Sequence, residues 1–150
     1  MRVIRATMYL VMTMVGFGLL SGCLVGGEDA EDAAKARLQA TSQGEYAEVW
    51  ESLHPNQQAV VTKEKFVECG EAGAAARSPE IEDLEVLSES VVEKEIPEVG
   101  IVESHVVALQ WLQGEDTRGD DFDMVEVDGE WTWVLSAEVL ESFRAGECPV

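Results

Sequence analysis

The sequence predicts an α+β domain in which helices precede an antiparallel sheet. Apolar residues recur at helical spacing in the first half of the chain, whereas from about residue 84 they alternate with polar residues. Asp128-Gly129 lies between two alternating runs, and this dipeptide is the strongest short hairpin signal. Because the helices come first and the strands follow, we expect the helices to pack on one face of the sheet.

The helical segments are defined by apolar periodicity and by their ends. Helices are predicted over 29–43, 45–53, 55–61, 62–69 and 137–143. The clearest is 45–53, in which Tyr46, Val49, Trp50 and Leu53 fall on one face. Gly44 is expected to end the preceding helix as a C-cap glycine. The broad aromatic face of the second helix must therefore be buried.

The strands follow a loop that contains several glycines and a Ser-Pro pair. Strands are predicted over 84–92, 101–112, 122–127 and 130–135, with a polar loop over 114–121. A two-residue hairpin loop fixes the register of the last two strands, so that Met124 faces Trp133 and Phe122 faces Leu135. These large residues are then expected on one sheet face, toward the helices.

The N-terminus carries an export signal. Arg2 and Arg5 precede an apolar run over 6–20, which is too short to span a bilayer comfortably as a helix of about 20 residues. The run ends in Leu-Ser-Gly-Cys at 20–23, which resembles the lipobox of bacterial lipoproteins. The resemblance implies that Cys23 is acylated and begins the mature chain. We expect a signal peptide over 1–22, a tether over 23–28 and one domain over 29–150.

The charge balance narrows the classes of partner. The chain has 30 acidic and 10 basic residues, a formal net charge of −20. A protein that binds nucleic acid needs a basic surface, so we do not expect this acidic chain to bind nucleic acid. Anionic lipid headgroups would repel the domain, so attachment to the membrane is expected through acyl chains on Cys23. The predicted location is the extracytoplasmic face of the cell membrane, with a lipid anchor.

The remaining cysteines fit an exported domain. With Cys23 assigned to lipid, Cys69 and Cys148 remain, and an even remainder in an exported chain indicates one disulfide. Only His54 and His105 are available to complete a zinc site, which is too few at close spacing. Acidic residues near 115–123 could hold a hard cation, but they lack the EF-hand pattern and favour a solvated loop. We expect no metal and no cofactor.

Three segments carry a resemblance to a known family. Gly44-Glu45-Tyr46, Val49-Trp50 with Leu53-His54-Pro55, and the run from Val125 to Trp133 look like the second helix and the final hairpin of small secreted NTF2-like lipoproteins. The resemblance implies a cone of the cystatin and SnoaL type, in which a curved sheet wraps around the helices and encloses a pocket. It rests on packing residues, so it implies the fold and leaves the chemistry open.

Chemistry-bearing residues are few. His105 lies in an apolar strand and could act as an acid or base, although a hydrogen-bonded structural histidine is the commoner case. NTF2-like isomerases and dehydratases use an aspartate inside the cone, whereas alternation puts Asp123 opposite the tryptophan face. Candidates for a ligand pocket are Tyr46, Trp50, His105, Trp111 and Trp133.

The sequence favours a non-enzymatic module of the cell envelope that binds an apolar small ligand or another envelope protein. The alternative is a small-molecule isomerase or dehydratase that uses His105 and a carboxylate as an acid–base pair in the cone. A third hypothesis is a structural role in which the domain docks on an envelope protein through an exposed apolar patch.

Overall fold

The computed structural model describes residues 29–74 and 80–149. The predicted signal peptide, the tether with Cys23 and the Ser78-Pro79 pair lie outside the described residues. In chain order the elements are α1 (Ala30–Gln43), α2 (Tyr46–Glu51), α3 (Pro55–Gln58), α4 (Lys63–Ala74), β1 (Glu82–Ile96), β2 (Gly100–Gln113), β3 (Asp116–Val127), β4 (Glu130–Trp133) and α5 (Ala137–Arg144). The predicted α+β order is confirmed.

The sheet is an antiparallel meander in the order β1-β2-β3-β4, and its inner face is covered by helices. The core joins α1 and α2 to the middle of β2 and β3, where Val107, Leu109 and Met124 are at most 1% exposed. None of the helices within 29–74 and 80–149 is long and apolar enough to cross a membrane.

Helix α1 lies close to the sheet because its buried stripe consists mainly of alanines. Ala30, Ala33 and Ala34 are buried together with Leu38. Asp29 caps the helix by accepting a hydrogen bond from the Asp32 amide at 2.9 Å. Gly44 ends it with φ of 79°, as the sequence predicted. Small side chains let the helix axis approach the strands, so little space remains between α1 and the sheet.

The β3–β4 hairpin forms as predicted around Asp128 and Gly129, which have φ of 54° and 87°. Met124 pairs with Trp133. The predicted pairing of Phe122 with Leu135 is wrong, because β4 ends at Trp133. The chain turns away there because the Leu135 amide donates to the buried side chain of Gln57, with Oε1 at 2.7 Å.

Several further boundaries differ from the expectation: α3 (Pro55–Gln58) ends before residue 61, and β1 (Glu82–Ile96) is longer than the predicted 84–92. Helix α4 was expected to end at Cys69 but continues to Ala74. The polar segment expected as a loop over 114–121 is mostly the start of β3, which pairs with β2 from Gln113↔Asp116 onward. Backbone pairing needs no apolar side chains, so an acidic segment with both faces exposed can still extend a hairpin.

Strand β1 contains an irregularity that changes which residues share a face. Val86 pairs with Leu109, but Ser88 pairs with Ala108, so Leu87 is an extra residue in the strand. The simple alternation expected through Val86 and Ser88 is therefore broken, and Leu87 is 59% exposed.

The predicted disulfide is present. Cys69 of α4 is bonded to Cys148, with their Cα atoms 5.2 Å apart and a sequence separation of 79. Closure of so long a loop stabilises a fold by up to about 4–5 kcal/mol. The bond fastens the segment after α5 to the helical half of the domain.

The two glycines inside α4 provide a matched test of this packing. A Cβ at Gly70 would lie 2.5 Å from Cδ1 of the Tyr46 ring, whereas a Cβ at Gly73 would have no atom within 4 Å. We expect Gly70→Ala to lower the free energy of unfolding by about 1–3 kcal/mol through overpacking. Gly73→Ala should raise it by up to about 1 kcal/mol, because alanine is the better helix former.

Urea unfolding of both variants and the parent measures these differences. Equal effects of the two substitutions would show that Tyr46 does not pack against α4 as described.

Candidate functional site

A cavity of about 150 Å³ lies between α1 and α2. Its polar lining comes from Arg37, Gln39, Gln43, Glu45, Glu48 and Ser52. The volume is below the range of roughly 300–1,000 Å³ that drug-sized ligands occupy. The cavity therefore suits a ligand with only a few non-hydrogen atoms.

Arg37 is the basic residue among those that line this cavity, and its position follows from the helix. It lies three and four residues after Ala34 and Ala33, so it falls on the buried face of α1. Its guanidinium carbon is 3.9 Å from the centroid of the Trp133 ring and 4.7 Å from that of Phe122. The charged group therefore stacks on two aromatic rings of the inner sheet face.

The buried Nε of Arg37 has no hydrogen-bond partner within residues 29–74 and 80–149. Of the seven basic residues in the part of the chain that the structure describes, the other six form ion pairs with carboxylates. Burial lowers the pKa of Arg37 to about 10, an effect that the charge of Asp120 partly offsets. Because this pKa is still far above 7, the group remains a cation at neutral pH.

His105 does have the carboxylate partner that acid–base chemistry would need. Its Nδ1 lies 2.5 Å from Oε1 of Glu89, and its ring meets Trp131 edge-on with centroids 4.7 Å apart. Glu103 lies farther away, with Oε1 at 3.9 Å from Nε2. The pair is partly exposed on the sheet, and His105 does not line the cavity that contains Arg37.

Two of the predicted pocket tryptophans are held by hydrogen bonds to the helical half of the domain. Trp50 Nε1 donates to the carbonyl of Val61 at 2.7 Å, and Trp133 Nε1 donates to the carbonyl of Val49 at 2.8 Å. Trp133 reaches the cavity indirectly, because its ring supports Arg37. Trp50 is only partly buried and faces α4, where Lys63 lies over its ring.

Tyr46 and Trp111 occupy other places. Tyr46 packs on Gly70 of α4, and Trp111 is partly buried against the core. None of the five residues predicted from the sequence lines the described cavity directly. Their assignment to a ligand pocket stays a prediction, and Trp133 is the member with a role beside Arg37.

Asp123 lies on the outer face of the sheet, as alternation predicted. Its two carboxylate oxygens accept hydrogen bonds from Lys94 Nζ at 2.8 and 2.7 Å, and one of them also accepts from the Ser104 hydroxyl at 3.0 Å. The residue is therefore occupied in an ion pair away from the helices. Across residues 29–74 and 80–149 no group of three His, Cys, Asp or Glu side chains is arranged to hold a metal ion.

The exposed apolar residues of the long β1–β2 hairpin do not share one surface. Val91 pairs with His105 and Val92 with Ser104, so these neighbours point to opposite faces of the sheet. Ile101, at 71% exposed, lies near the turn of the hairpin. The dispersal of these side chains gives no specific support to an apolar docking patch.

His54 has a structural position. Its Nδ1 accepts a hydrogen bond from the Asn56 amide at 3.2 Å, which caps α3. Its own amide donates to the Trp133 carbonyl at 2.9 Å. Burial lowers the pKa of His54, so the folded state favours the neutral ring.

Arg37 was the residue that sequence reasoning missed. As a basic residue late in the first helix it looks like a favourable partner of the helix dipole. The signal that could have identified it is its spacing from Ala33 and Ala34, which places a charge on the stripe that must be buried.

Comparisons with known proteins identify the fold. No protein-family model matches the chain, and no curated protein matches it. Among solved structures, the chain is similar to a Campylobacter jejuni protein described as a candidate NTF2-like transpeptidase, with a TM-score of 0.52 and 14% sequence identity. The match covers 71% of this chain and 97% of that protein. The chain therefore has an NTF2-like fold, as its sequence resemblance implied.

The lowered pKa of His54 predicts how stability depends on pH. An unfolded histidine has a pKa of about 6.5, so below that value the unfolded chain takes up a proton more readily than the folded one. Stability should therefore fall as the pH drops below about 6.5. His54→Asn keeps a capping acceptor without a titrating group, so its melting temperature should change less between pH 7.5 and 5.5.

Scanning calorimetry of the parent, His54→Asn and His105→Gln over this range makes the comparison. His105→Gln is the control, because it leaves His54 in place. If the parent and His54→Asn lose stability equally, His54 is not the group responsible.

Proposed function

We propose that this chain is a lipid-anchored extracytoplasmic protein whose NTF2-like domain binds a small ligand in the cavity beside Arg37, without catalysing a reaction. The observation that carries the proposal is the guanidinium of Arg37, which stacks on Trp133 and Phe122 and whose buried Nε has no hydrogen-bond partner in the described part of the chain. A binding module needs such a preorganised polar group to orient its ligand.

The energetic argument favours an anionic group in the ligand. Burial lowers the pKa of Arg37 to about 10, so removing the charged guanidinium from water costs free energy in the folded state. The cation–π contacts with the Trp133 and Phe122 rings offset only about 0.5–2 kcal/mol of this free-energy cost. A bound carboxylate would supply the missing hydrogen bonds in bidentate geometry, which the guanidinium fork matches.

The anchor is proposed from the N-terminal sequence. Cys23 follows an apolar run in a lipobox-like segment, and the other two cysteines form a disulfide of the kind that persists outside the cytoplasm. A chain with a net charge of −20 would be held at an anionic membrane by acyl chains rather than by charge attraction. The same charge argues against nucleic acid as a partner.

Transpeptidase chemistry, which the description of the Campylobacter jejuni protein names, receives no support from the described residues. A thiol nucleophile would have to be free, and Cys69 and Cys148 are bonded to each other. The buried Ser104 hydroxyl donates to Asp123 on the outer face of the sheet. We therefore do not extend that activity to this chain.

An acid–base enzyme is the second candidate, because one observation favours it. The contact of 2.5 Å between His105 and Glu89 is the pairing that a general base requires. The pair is not part of the cavity lining, whereas Arg37 is. The binding hypothesis therefore fits the cavity better, and the variants below separate the two.

The anchor is tested by replacing the acylated residue. We expect Cys23→Ser to release a folded protein from membranes or to leave the precursor unprocessed, because stable attachment depends on the acyl chains. Membrane fractionation with detection of the processed chain measures this. A serine variant that is processed and retained on membranes like the parent would refute lipid anchoring at Cys23.

The cavity is tested with acetate at constant ionic strength. Acetate should raise the melting temperature of the parent in a saturable way, since a ligand that binds only the folded state stabilises it. Arg37→Met fills a similar volume without a charge, so it should abolish this response. It should also leave the free energy of unfolding unchanged or raise it by on the order of 1 kcal/mol, because an unpaired buried charge is removed.

His105→Gln is the matched control, and it should respond to acetate like the parent. The same response in Arg37→Met and the parent would place the anion elsewhere. A loss of response in His105→Gln alone would favour the acid–base candidate. A large loss of stability in Arg37→Met would show that the guanidinium is structural.

A further inference from the structure

The cavity between α1 and α2 contains charges of both signs. Arg37 provides a buried cation on α1, and Glu45 and Glu48 line the cavity from the start of α2 and are exposed to solvent. Neither glutamate forms an ion pair within the described residues, although most of the lysines and arginines there do. Unpaired charges of opposite sign therefore line one small cavity.

A ligand with a single charge would satisfy only part of this arrangement. A simple anion would pair with Arg37 but would be repelled by Glu45 and Glu48 and by a chain with a net charge of −20. A simple cation would pair with the glutamates and leave the buried Nε of Arg37 without a hydrogen bond. A ligand that carries both a negative and a positive group can pair with Arg37 and with the two glutamates at once. Because the net charge of such a ligand is zero, the acidic protein does not repel it.

From these observations we infer that the cavity binds a small zwitterion of the α-amino acid class. The carboxylate lies against the Arg37 guanidinium, and the ammonium group lies toward Glu45 and Glu48. The cavity volume of about 150 Å³ limits the ligand to a small amino acid or a close analogue. The exposed amides of Gln39 and Gln43 remain available to bond its polar atoms. This inference rests on the proposed binding function and specifies its ligand class.

The connection between α1 and α2 fixes the position of Arg37 relative to Glu45 and Glu48. Gly44 turns the chain sharply between α1 and α2, and the Glu45 amide donates to the Ala40 carbonyl at 2.9 Å. Only a short turn of the chain thus separates the carboxylates of Glu45 and Glu48 from the lining residues of α1. Glu48 lies one turn after Glu45, so both can face the same ammonium group.

Calorimetric titration of the full chain, purified in detergent, compares L-alanine with propionate and ethylammonium. These probes share a similar size and carry both charges, only the negative charge or only the positive charge. We expect L-alanine to bind at least about tenfold more tightly than propionate, and ethylammonium to bind more weakly still.

Two variants assign the charges. Arg37→Met should abolish binding of both L-alanine and propionate. The double variant Glu45→Gln with Glu48→Gln should weaken L-alanine about tenfold and leave propionate unchanged or slightly tighter. Glu64→Gln is the charge-matched control, because Glu64 is exposed on α4 and does not line the cavity. Circular dichroism and the melting temperature verify that each variant is folded.

The outcomes separate this inference from the proposed function. If propionate binds as tightly as L-alanine and needs Arg37, the cavity is an anion site and the zwitterion inference is wrong. If the glutamate double variant weakens both ligands equally, the glutamates do not contact the ammonium group and the inference is also wrong. If no probe binds in a manner that depends on Arg37, the inference and the binding function both fail.

Discussion

The buried side-chain amide of Gln57 joins three parts of the chain that are distant in sequence. It is 0% exposed, its Nε2 donates to the carbonyls of Pro97 and Leu135 at 3.0 and 3.1 Å, and its Oε1 accepts from the Leu135 amide at 2.7 Å. An amide buried without these partners would cost about 1–3 kcal/mol for each unsatisfied group. The bonds therefore set where α3, the β1–β2 turn and the segment after β4 meet, and they bend the chain away from the sheet just after Trp133.

Trp133 connects the segment held by Gln57 to the cavity beside Arg37. Its amide donates to the Ser52 carbonyl at 3.1 Å, its carbonyl accepts from the His54 amide at 2.9 Å, and its ring nitrogen donates to the Val49 carbonyl at 2.8 Å. Three hydrogen bonds thus fasten the last strand to α2 and the residues after it. Since the Arg37 guanidinium stacks on this ring, the platform beneath the charge is rigid before any ligand arrives, which lowers the entropy cost of binding.

The sequence predicted the features that local chemistry determines. The Gly44 cap of α1 and the Asp128-Gly129 hairpin were correct because each depends on residues a few positions apart. The extension of α4 to Ala74 was missed because its glycines predicted a loop, and the role of Gln57 could not be predicted because its partner carbonyls lie 40 and 78 residues away. The NTF2-like fold was predictable from packing residues, but the Arg37 site was not, since nothing local distinguishes a buried helical arginine from a solvated one.

The packing of α1 explains why the guanidinium of Arg37 lies against the sheet. A long side chain normally carries its charged end to water while its methylenes cover apolar surface. The alanines at positions 33 and 34 bring the helix so close to the strands that the Arg37 side chain runs between the helix and the rings of Phe122 and Trp133. Within the residues that the structure describes, the domain therefore leaves the buried Nε of Arg37 without a hydrogen bond, at a cost in stability. Proteins depart from full local consistency mainly at functional sites, which is why we place the proposed ligand beside Arg37.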